Sequence, residues 1–321
     1  MRPAKLDNSA FDNLYLQDDQ RGDLRHATGA RALVVGEVLW DHFPDAARLG
    51  GAPLNFAVHL RRLRHTPLLV SAVGADAPGD EARAAITALG LDTSCLHTTE
   101  RFKTGTAVVR FGPGDDTTFT IARPAAYDAI TLSTGAIRQI AMWSPAWLYY
   151  GTLFPTCTEA RLVLSQLLDA VPDAATFYDL NLRPGFDSPA LVDELLRTAD
   201  VVKLNERELH FVRDHLDLPG DAEGFCRAGS RRYHWRAACV TLGARGCAML
   251  RGDEYVEARG FHVDVADPVG TGDAFAAAFV HGLESNWSIE AIARFANRIG
   301  ALVAGSHGAI PESTSAIARP S

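Results

Sequence analysis

The stretch DPVGTGDAFAAAFVHGL, residues 267–283, begins as a glycine turn and ends as an apolar helix. Because the β-like run GFHVDVAD precedes it, we expect Gly270, Thr271 and Gly272 at a helix N-terminus. Unpaired N–H groups and the helix dipole attract anions there, and glycines let a phosphate approach without a Cβ clash. Asp273, in the first turn, is either a helix cap or a carboxylate that accepts a proton from an attacking hydroxyl. An Asp at a helix start is usually a cap, but a cap does not need the two glycines, and this weakens the first interpretation.

A second glycine motif, GGAPLNFAVHLRRL, occupies residues 50–63. Its helix is expected to begin near Pro53, a residue suited to the first turn, with Asn55 close behind. Paired glycines let a small polar ligand contact the backbone, and an Asn amide both donates to and accepts from sugar hydroxyls. A plain turn from loop to helix explains the same residues equally well.

Short apolar runs elsewhere alternate with segments of helical spacing. The predicted strands are RALVVG (31–36), PLLVSAVG (67–74), WLYYG (147–151), ATFYDLN (175–181), DVVKLN (200–205) and AACVTLG (237–243). The predicted helices include 53–63, 81–90, 158–171 and 188–199. This alternation predicts βαβ units and a mostly parallel sheet that is covered on both faces.

Two segments interrupt the alternation. Residues 36–51 have few helical features, and residues 104–123 form a predicted β-hairpin around GPGDD. In an open α/β fold, ligands bind at the carboxyl ends of the strands, so a small β-flap at that edge would be a lid. The alternative to a lid is a surface hairpin that has no role in ligand binding.

Composition excludes several classes of protein. A chain of 321 residues with 47% apolar content can bury a large core, and its net charge of −8 argues against a general nucleic-acid or membrane-surface binder. No apolar run reaches the ~18–20 residues that span a bilayer. The first 28 residues lack the apolar centre of a signal peptide, so we expect a flexible leader and a cytoplasmic protein. The five cysteines contain no CxxC pair, which indicates reduced thiols and no zinc site.

The common nucleotide-binding motifs are missing. GxxxxGK[ST] does not occur, and no GxGxxG fingerprint follows the first predicted strand. These observations exclude a P-loop protein and argue against an NAD-dependent dehydrogenase. A nucleotide would need another scaffold.

GGAPLNFA and DPVGTGDAF, in this order and more than two hundred residues apart, resemble the paired signatures of ribokinase-like sugar kinases of the phosphofructokinase B type. GADAPG, KLNERE, VTLGARG and GAIP extend the resemblance over about residues 31–312. GEVLWDHFP, RPAAYD and YDLNLRP most resemble the fructokinase group. The resemblance implies a three-layer α/β/α fold with a mostly parallel central sheet and a small β-sheet lid. The implied division is a leader (1–28), a kinase domain (29–312) with a lid from about 37–51 and 103–123, and a tail (313–321).

The resemblance also implies catalytic roles. Asp273 matches the base that takes the proton from the primary hydroxyl of the sugar, and the amides of Gly270, Thr271 and Gly272 match the anion hole for the transferring phosphoryl group. The family commonly has Ala at the position of Thr271 and Thr at the position of Pro268. A backbone amide does not depend on its side chain, so the first departure should cause only local repacking.

On the sugar side, the resemblance matches Asp41, Gly51 and Asn55 to ligands of sugar hydroxyls. Arg183 either faces the phosphate region or braces a loop. On the nucleotide side, the matching positions are Asn205 and Glu208 for Mg²⁺ held through water, Thr241, Gly243 and Gly246 for ATP, Asn297 near the adenine, and the carbonyls around Asp267, Val269 and Ser306 for K⁺.

The sequence therefore predicts an ATP-dependent sugar kinase that converts fructose to fructose 6-phosphate with Mg²⁺. Alternatives are a kinase of another acceptor, such as 2-keto-3-deoxygluconate, ribose or a nucleoside, and a catalytically silent sugar-binding regulator. By analogy with its relatives, the chain is expected to form a homodimer through the lid.

Overall fold

The predicted strands and helices assemble around one large sheet in a computed structural model, which describes residues 29–44, 46–111 and 117–311. The predicted leader, the predicted tail and the GPGDD tip of the hairpin lie outside the described residues. The strands are β1 (Arg31–Val35), β2 (Leu39–His42), β3 (Ala47–Gly50), β4 (Thr66–Gly74), β5 (Leu96–Thr99), β6 (Gly105–Phe111), β7 (Thr117–Ile121), β8 (Trp147–Gly151), β9 (Ala175–Asp179), β10 (Val201–Asn205), β11 (Ala237–Thr241), β12 (Gly246–Arg251) and β13 (Glu254–Arg259). The α-helices are α1 (Ala52–Arg62), α2 (Ala77–Ala88), α3 (Thr134–Trp143), α4 (Thr158–Ala170), α5 (Pro189–Arg197), α6 (Glu206–Leu216), α7 (Ala222–Tyr233), α8 (Thr271–Glu284) and α9 (Ile289–Ala304).

The large sheet has nine strands in the order β13-β12-β11-β10-β9-β8-β1-β4-β5. Every neighbouring pair from β11 to β5 is parallel, as predicted. β12 and β13 add an antiparallel edge that the sequence analysis did not predict. The carboxyl ends of β9, β10 and β11 therefore lie side by side, and they carry polar residues of the candidate site.

Helices cover both faces of the sheet. Consecutive strand residues point to opposite faces, so Tyr149 and Tyr150, both fully buried, belong to two different cores. One core includes residues of α1, α2, α8 and α9, and the other includes residues of α3 to α7. The result is the predicted three-layer architecture, and burial on both faces explains the continuous apolar runs in the sequence.

The two interrupting segments pair with each other in a second, smaller sheet of order β3-β2-β6-β7, here called the small sheet. The predicted hairpin is confirmed as the antiparallel pair β6–β7. Residues 39–50 form a second hairpin, β2–β3, and β2 pairs in parallel with β6. None of the helices in the described ranges is long and apolar enough to cross a membrane.

Candidate active site

The glycine turn lies where the sequence placed it, at the start of α8. Gly270 is the N-cap residue, with a φ of 80° that favours glycine. A Cβ at Gly270 would lie 2.3 Å from the Cβ of Ala309, so a side chain does not fit. Among the described residues, no backbone carbonyl accepts a hydrogen bond from the N–H of Gly270 or Gly272, whereas Thr271 N–H bonds Pro268 O at 3.4 Å. Two free amides at a helix N-terminus suit an anion.

The segment that backs this turn is fixed by α1. His59 Nε2 lies 3.0 Å from the carbonyl oxygen of Ala309, to which it donates, and Arg62 donates to the carbonyl of Pro311 at 2.6 Å. Burial lowers the pKa of His59 to about 4, so its ring is neutral at pH 7. The helix that carries the second glycine motif thus also supports the first.

Asp273 is buried and does not cap its helix with its side chain. Its Oδ2 accepts a hydrogen bond from Nδ2 of Asn55 at 2.8 Å, across 218 residues of sequence. Oδ1 of Asn55 is buried and has no hydrogen-bond partner within the described part of the chain. A buried acceptor without a donor is costly, so this oxygen suits a hydroxyl of a bound ligand. The structure brings the two glycine motifs together through these side chains.

The environment of Asp273 makes it a better base than a free carboxylate. Burial, and after it the negative charge of Asp179, raise the pKa of Asp273 to about 6, while Asn55, Lys203 and Arg183 oppose the rise. A general base is most effective when its pKa lies near the working pH.

A buried ion pair that was not predicted from the sequence acts on Asp273. Lys203 Nζ is 2.8 and 3.0 Å from the two carboxylate oxygens of Asp179, and Tyr149 Oη donates to the same carboxylate at 3.4 Å. A Cβ at Gly272 would be 3.4 Å from Lys203 Nζ. Asp179 ends β9 and Lys203 lies opposite it in β10, so a polar residue late in a buried strand was the signal available in the sequence.

Asp41, which was predicted to bind the sugar, forms a second buried acidic group with Glu37. Asp41 in β2 lies against Gly50, where a Cβ would be 2.3 Å from its Oδ2. Gly51 has a φ of 113°, and a Cβ there would be 2.4 Å from the carbonyl oxygen of Glu37. Burial raises the pKa of both Asp41 and Glu37 to about 7. Glu37 was not predicted as a site residue.

Arg183 is the cation that these carboxyl groups share. Its positive charge acts to lower the pKa of Glu37, Asp41 and Asp273. The guanidinium also lies 4.8 Å from the ring centroid of Phe119 in β7. Arg183 therefore connects the small sheet to the site.

Asn205 and Glu208 form a capping box at the start of α6. Glu208 N–H donates to Asn205 Oδ1 at 2.9 Å, and Asn205 N–H donates to Glu208 Oε2 at 2.8 Å. Leu182 N–H donates to Oε1 of Glu208 at 2.8 Å. Both carboxylate oxygens of the buried Glu208 thus accept hydrogen bonds from backbone N–H groups. This arrangement fits Mg²⁺ bound through water better than Mg²⁺ coordinated directly by Glu208. Within the described ranges, no cluster of three or more His, Cys, Asp or Glu residues suits a metal ion.

Two of the predicted nucleotide positions, Asn297 and Gly246, contact the end of β13. Asn297 donates to the carbonyls of Ala258 and Arg259 at 3.1 and 3.3 Å, so its amide braces the chain there. A Cβ at Gly246 would be 2.0 Å from the carbonyl oxygen of Ala258. Thr241 ends β11, and Gly243 follows with a φ of 58°. Apart from its two chain neighbours, no described residue has an atom within 4 Å of the place where a Cβ of Gly243 would be.

Asp267, expected to be the structural aspartate of its motif, holds two loops by its side chain. It accepts hydrogen bonds from Val269 N–H at 3.0 Å and from Gly308 N–H at 3.1 Å. Arg48 donates to it at 2.8 Å. Ser306 turns its hydroxyl to the carbonyl of Leu302 at 3.0 Å.

Comparisons with known proteins agree with this architecture. The model of the pfkB family carbohydrate kinases matches residues 46–316. A fructokinase of Salmonella typhimurium is 28% identical over 300 residues, which cover 88% of this chain and 95% of that protein.

Two solved structures have the same fold. A double mutant of the Vibrio cholerae fructokinase, with fructose, ADP and a potassium ion bound, superimposes with a TM-score of 0.74 at 24% identity, covering 89% of this chain and 95% of that one. The 2-dehydro-3-deoxygluconokinase of Thermotoga maritima gives a TM-score of 0.78 at 17% identity, covering 88% and 95%.

Proposed function

The chain belongs to the pfkB family of carbohydrate kinases, and on that premise we propose that it transfers the γ-phosphoryl group of ATP to a primary hydroxyl of fructose, giving fructose 6-phosphate and ADP. The observation that carries the proposal is the buried Asp273, which Asn55 orients at 2.8 Å beside the free amides of the glycine turn. Base, anion site and a hydroxyl acceptor thus meet in one place.

In the proposed reaction, Asp273 takes the proton of the sugar hydroxyl. The hydroxyl oxygen attacks the γ-phosphorus of ATP, and the bond between the γ-phosphorus and the β–γ bridging oxygen breaks, so that ADP leaves. The amides of Gly270 and Gly272 donate hydrogen bonds to the transferring group, where negative charge concentrates. When bound, Mg²⁺ supplies positive charge to the phosphates, and Asn205 and Glu208 would hold its water ligands. ATP would lie along Thr241, Gly243, Gly246 and Asn297.

Small-sheet residues would complete the sugar pocket. Asp41 accepts hydrogen bonds from sugar hydroxyls, and the contact between Arg183 and Phe119 lets closure of the small sheet act on the site. Closure excludes water, which limits wasteful hydrolysis of ATP.

Charge in the pocket favours a neutral sugar. Glu37, Asp41 and Asp273 are three buried carboxyl groups that act on one another, so a sugar acid would add a further negative charge. Hydroxyl groups, by contrast, donate hydrogen bonds to carboxylates. We therefore place fructose ahead of 2-keto-3-deoxygluconate, with ribose and nucleosides as further acceptors to be compared.

The test is ATP consumption with a panel of these acceptors, in wild type and in Asp273→Asn. The substitution keeps size and removes the base, so turnover should fall by about 10²–10⁴ while ATP binding, measured by calorimetry, persists. Asp253→Asn, at an exposed turn, is the matched control. Near-normal turnover in Asp273→Asn would refute the role of the base. Sugar binding without turnover in the wild type would favour a silent regulator.

We also propose a homodimer through the small sheet. The proposal rests on analogy with ribokinase-like sugar kinases, which often pair through the lid. A dimer should sediment with about twice the chain mass of 34.6 kDa, and a stable monomer at micromolar concentration would contradict it.

A further inference from the structure

Arg48 reaches from the small sheet to the glycine turn. Its Nη1 lies 2.8 Å from Oδ2 of Asp267, although 219 residues separate the two in the sequence. Asp267 is only 3% exposed, and about a third of the Arg48 side chain, 33%, remains accessible. A single charged residue of β3 thus contacts the loop that carries the candidate anion site.

The Asp267 carboxylate organises that loop. Oδ1 accepts from Val269 N–H at 3.0 Å, and Oδ2 accepts from Gly308 N–H at 3.1 Å as well as from Arg48. Gly308 precedes Ala309, which packs on Gly270. A buried carboxylate requires a compensating positive charge, and here Arg48 provides it.

The position of Arg48 is itself defined. Its guanidinium lies 4.4 Å from the ring centroid of Phe43, within the range of a cation–π contact. A Cβ at Gly308 would be 3.7 Å from Cδ of Arg48, so its aliphatic stem packs along the same loop. Contacts on both stem and head favour one orientation of the side chain.

These contacts do not fit the bound K⁺ that the family resemblance implies at this loop. The guanidinium of Arg48 already neutralises the Asp267 carboxylate at 2.8 Å, so a monovalent cation at the carbonyls of Asp267, Val269 and Ser306 would add a second positive charge to the same loop. Both oxygens of the Asp267 carboxylate already accept hydrogen bonds.

We propose that Arg48 is a positioning residue that supplies, from within the chain, the positive charge that a bound monovalent cation would give to this loop, so that the protein does not depend on K⁺. Arg48 acts through Asp267, which holds the start of the glycine turn and Gly308. Arg48 belongs to β3 of the small sheet, two residues before Gly50. The position of the small sheet therefore decides whether the positive charge of Arg48 lies at the Asp267 loop. The turnover part of the test rests on the proposed kinase activity, and the part on thermal unfolding does not.

The experiment compares wild type, Arg48→Met and Arg236→Met in buffers of equal ionic strength, with KCl or with tetramethylammonium chloride. Methionine matches the stem of arginine without its charge. Arg236 is a control because it also pairs with an aspartate, Asp200, at 3.1 Å on the surface. Each protein is assayed for turnover with the best acceptor and for its thermal midpoint.

Wild type and Arg236→Met should respond to K⁺ by less than about twofold in turnover, and their thermal midpoints should not change. Arg48→Met should lose about tenfold or more in turnover, since a charge-assisted contact is lost, and K⁺ or added guanidinium ion should restore part of it. Its thermal midpoint should rise with K⁺, which a merely structural arginine would not cause.

A wild-type protein whose turnover or thermal midpoint depends on K⁺ would overturn the proposal, and this holds even if Arg48→Met fails to fold. Turnover in Arg48→Met equal to that of wild type would also overturn it. If the wild type phosphorylates no sugar, the proposed function fails, and the thermal measurements still decide the role of Arg48.

Discussion

Removing the cation of the Lys203–Asp179 pair should destabilise the fold strongly. Lys203→Met keeps the length of the side chain but leaves Asp179, 1% exposed, without its partner. Within the described part of the chain, the only hydrogen bond left to that carboxylate would be the long one from Tyr149 Oη at 3.4 Å, which compensates little of the cost of burying the charge. Breaking one side of a buried ion pair costs about 3–5 kcal/mol of unfolding free energy.

A double-mutant cycle isolates this effect. Asp179→Leu should cost a similar amount, because a buried ammonium then lacks its counter-charge. Lys203→Met/Asp179→Leu replaces both charges with apolar groups of similar volume and should return to within about 1–2 kcal/mol of wild type. Lys103→Met, at an exposed lysine, is the control and should change stability by about 0.5 kcal/mol or less.

The assay is urea unfolding followed by tryptophan fluorescence, for all five proteins at pH 7. Single substitutions that each cost less than about 1 kcal/mol, or whose costs simply add in the double variant, would refute the reasoning. A catalytic readout accompanies it. The charge of Asp179 raises the pKa of Asp273 and that of Lys203 lowers it, so the acidic limb of turnover should move to higher pH in Lys203→Met.

Two further predictions concern pH. The value of kcat/KM should fall about tenfold per pH unit below about pH 6, because Asp273, with a pKa of about 6 in the unliganded protein, must be ionised to act as a base. A flat profile from pH 5 to about 8 would contradict this. In the absence of sugar, the free energy of unfolding should rise as the pH falls from about 8 to 6.5. The reason is that Glu37 and Asp41, with pKa values of about 7, bind protons more tightly in the folded state than in the unfolded state. Below the ordinary histidine pKa of 6.5, His59 and His65, whose pKa values are lowered to about 4, should oppose that gain. Urea unfolding between pH 5 and about 8 measures both effects, and stability that increases from pH 6.5 to 8 would contradict the first.

Several features were readable from short windows of sequence. Apolar runs that alternate with helical segments predicted the parallel sheet and its two helical layers, because burial on both faces leaves a local mark in each strand. The glycine turn before Asp273 was predicted for a similar reason, since a φ of 80° and a close backbone contact at Gly270 require glycine locally. The hairpin β6–β7 also follows from local alternation and a turn.

Other structural features had a signal in the sequence that was not used in full for prediction. The capping box of Asn205 and Glu208 marks the start of α6, whereas the family resemblance implied for these residues only a role with Mg²⁺. β12 and β13 were not predicted as an antiparallel edge. Asp179 and Lys203 stood late in predicted strands, where polar residues meet at one edge of a parallel sheet.

The sequence by itself thus determined the layers of the fold and the local geometry of the two glycine motifs. Tertiary structure alone decided which distant side chains meet: Asn55 with Asp273, Lys203 with Asp179, and Arg48 with Asp267. Each contact depends on how strands and loops far apart in the chain are brought together, and no local periodicity encodes that distance. The proposed reaction depends on a buried Asp273 with a raised pKa and on a cation held against the loop of the glycine turn. Both arise from those contacts, because burial and nearby charge act through space rather than along the chain.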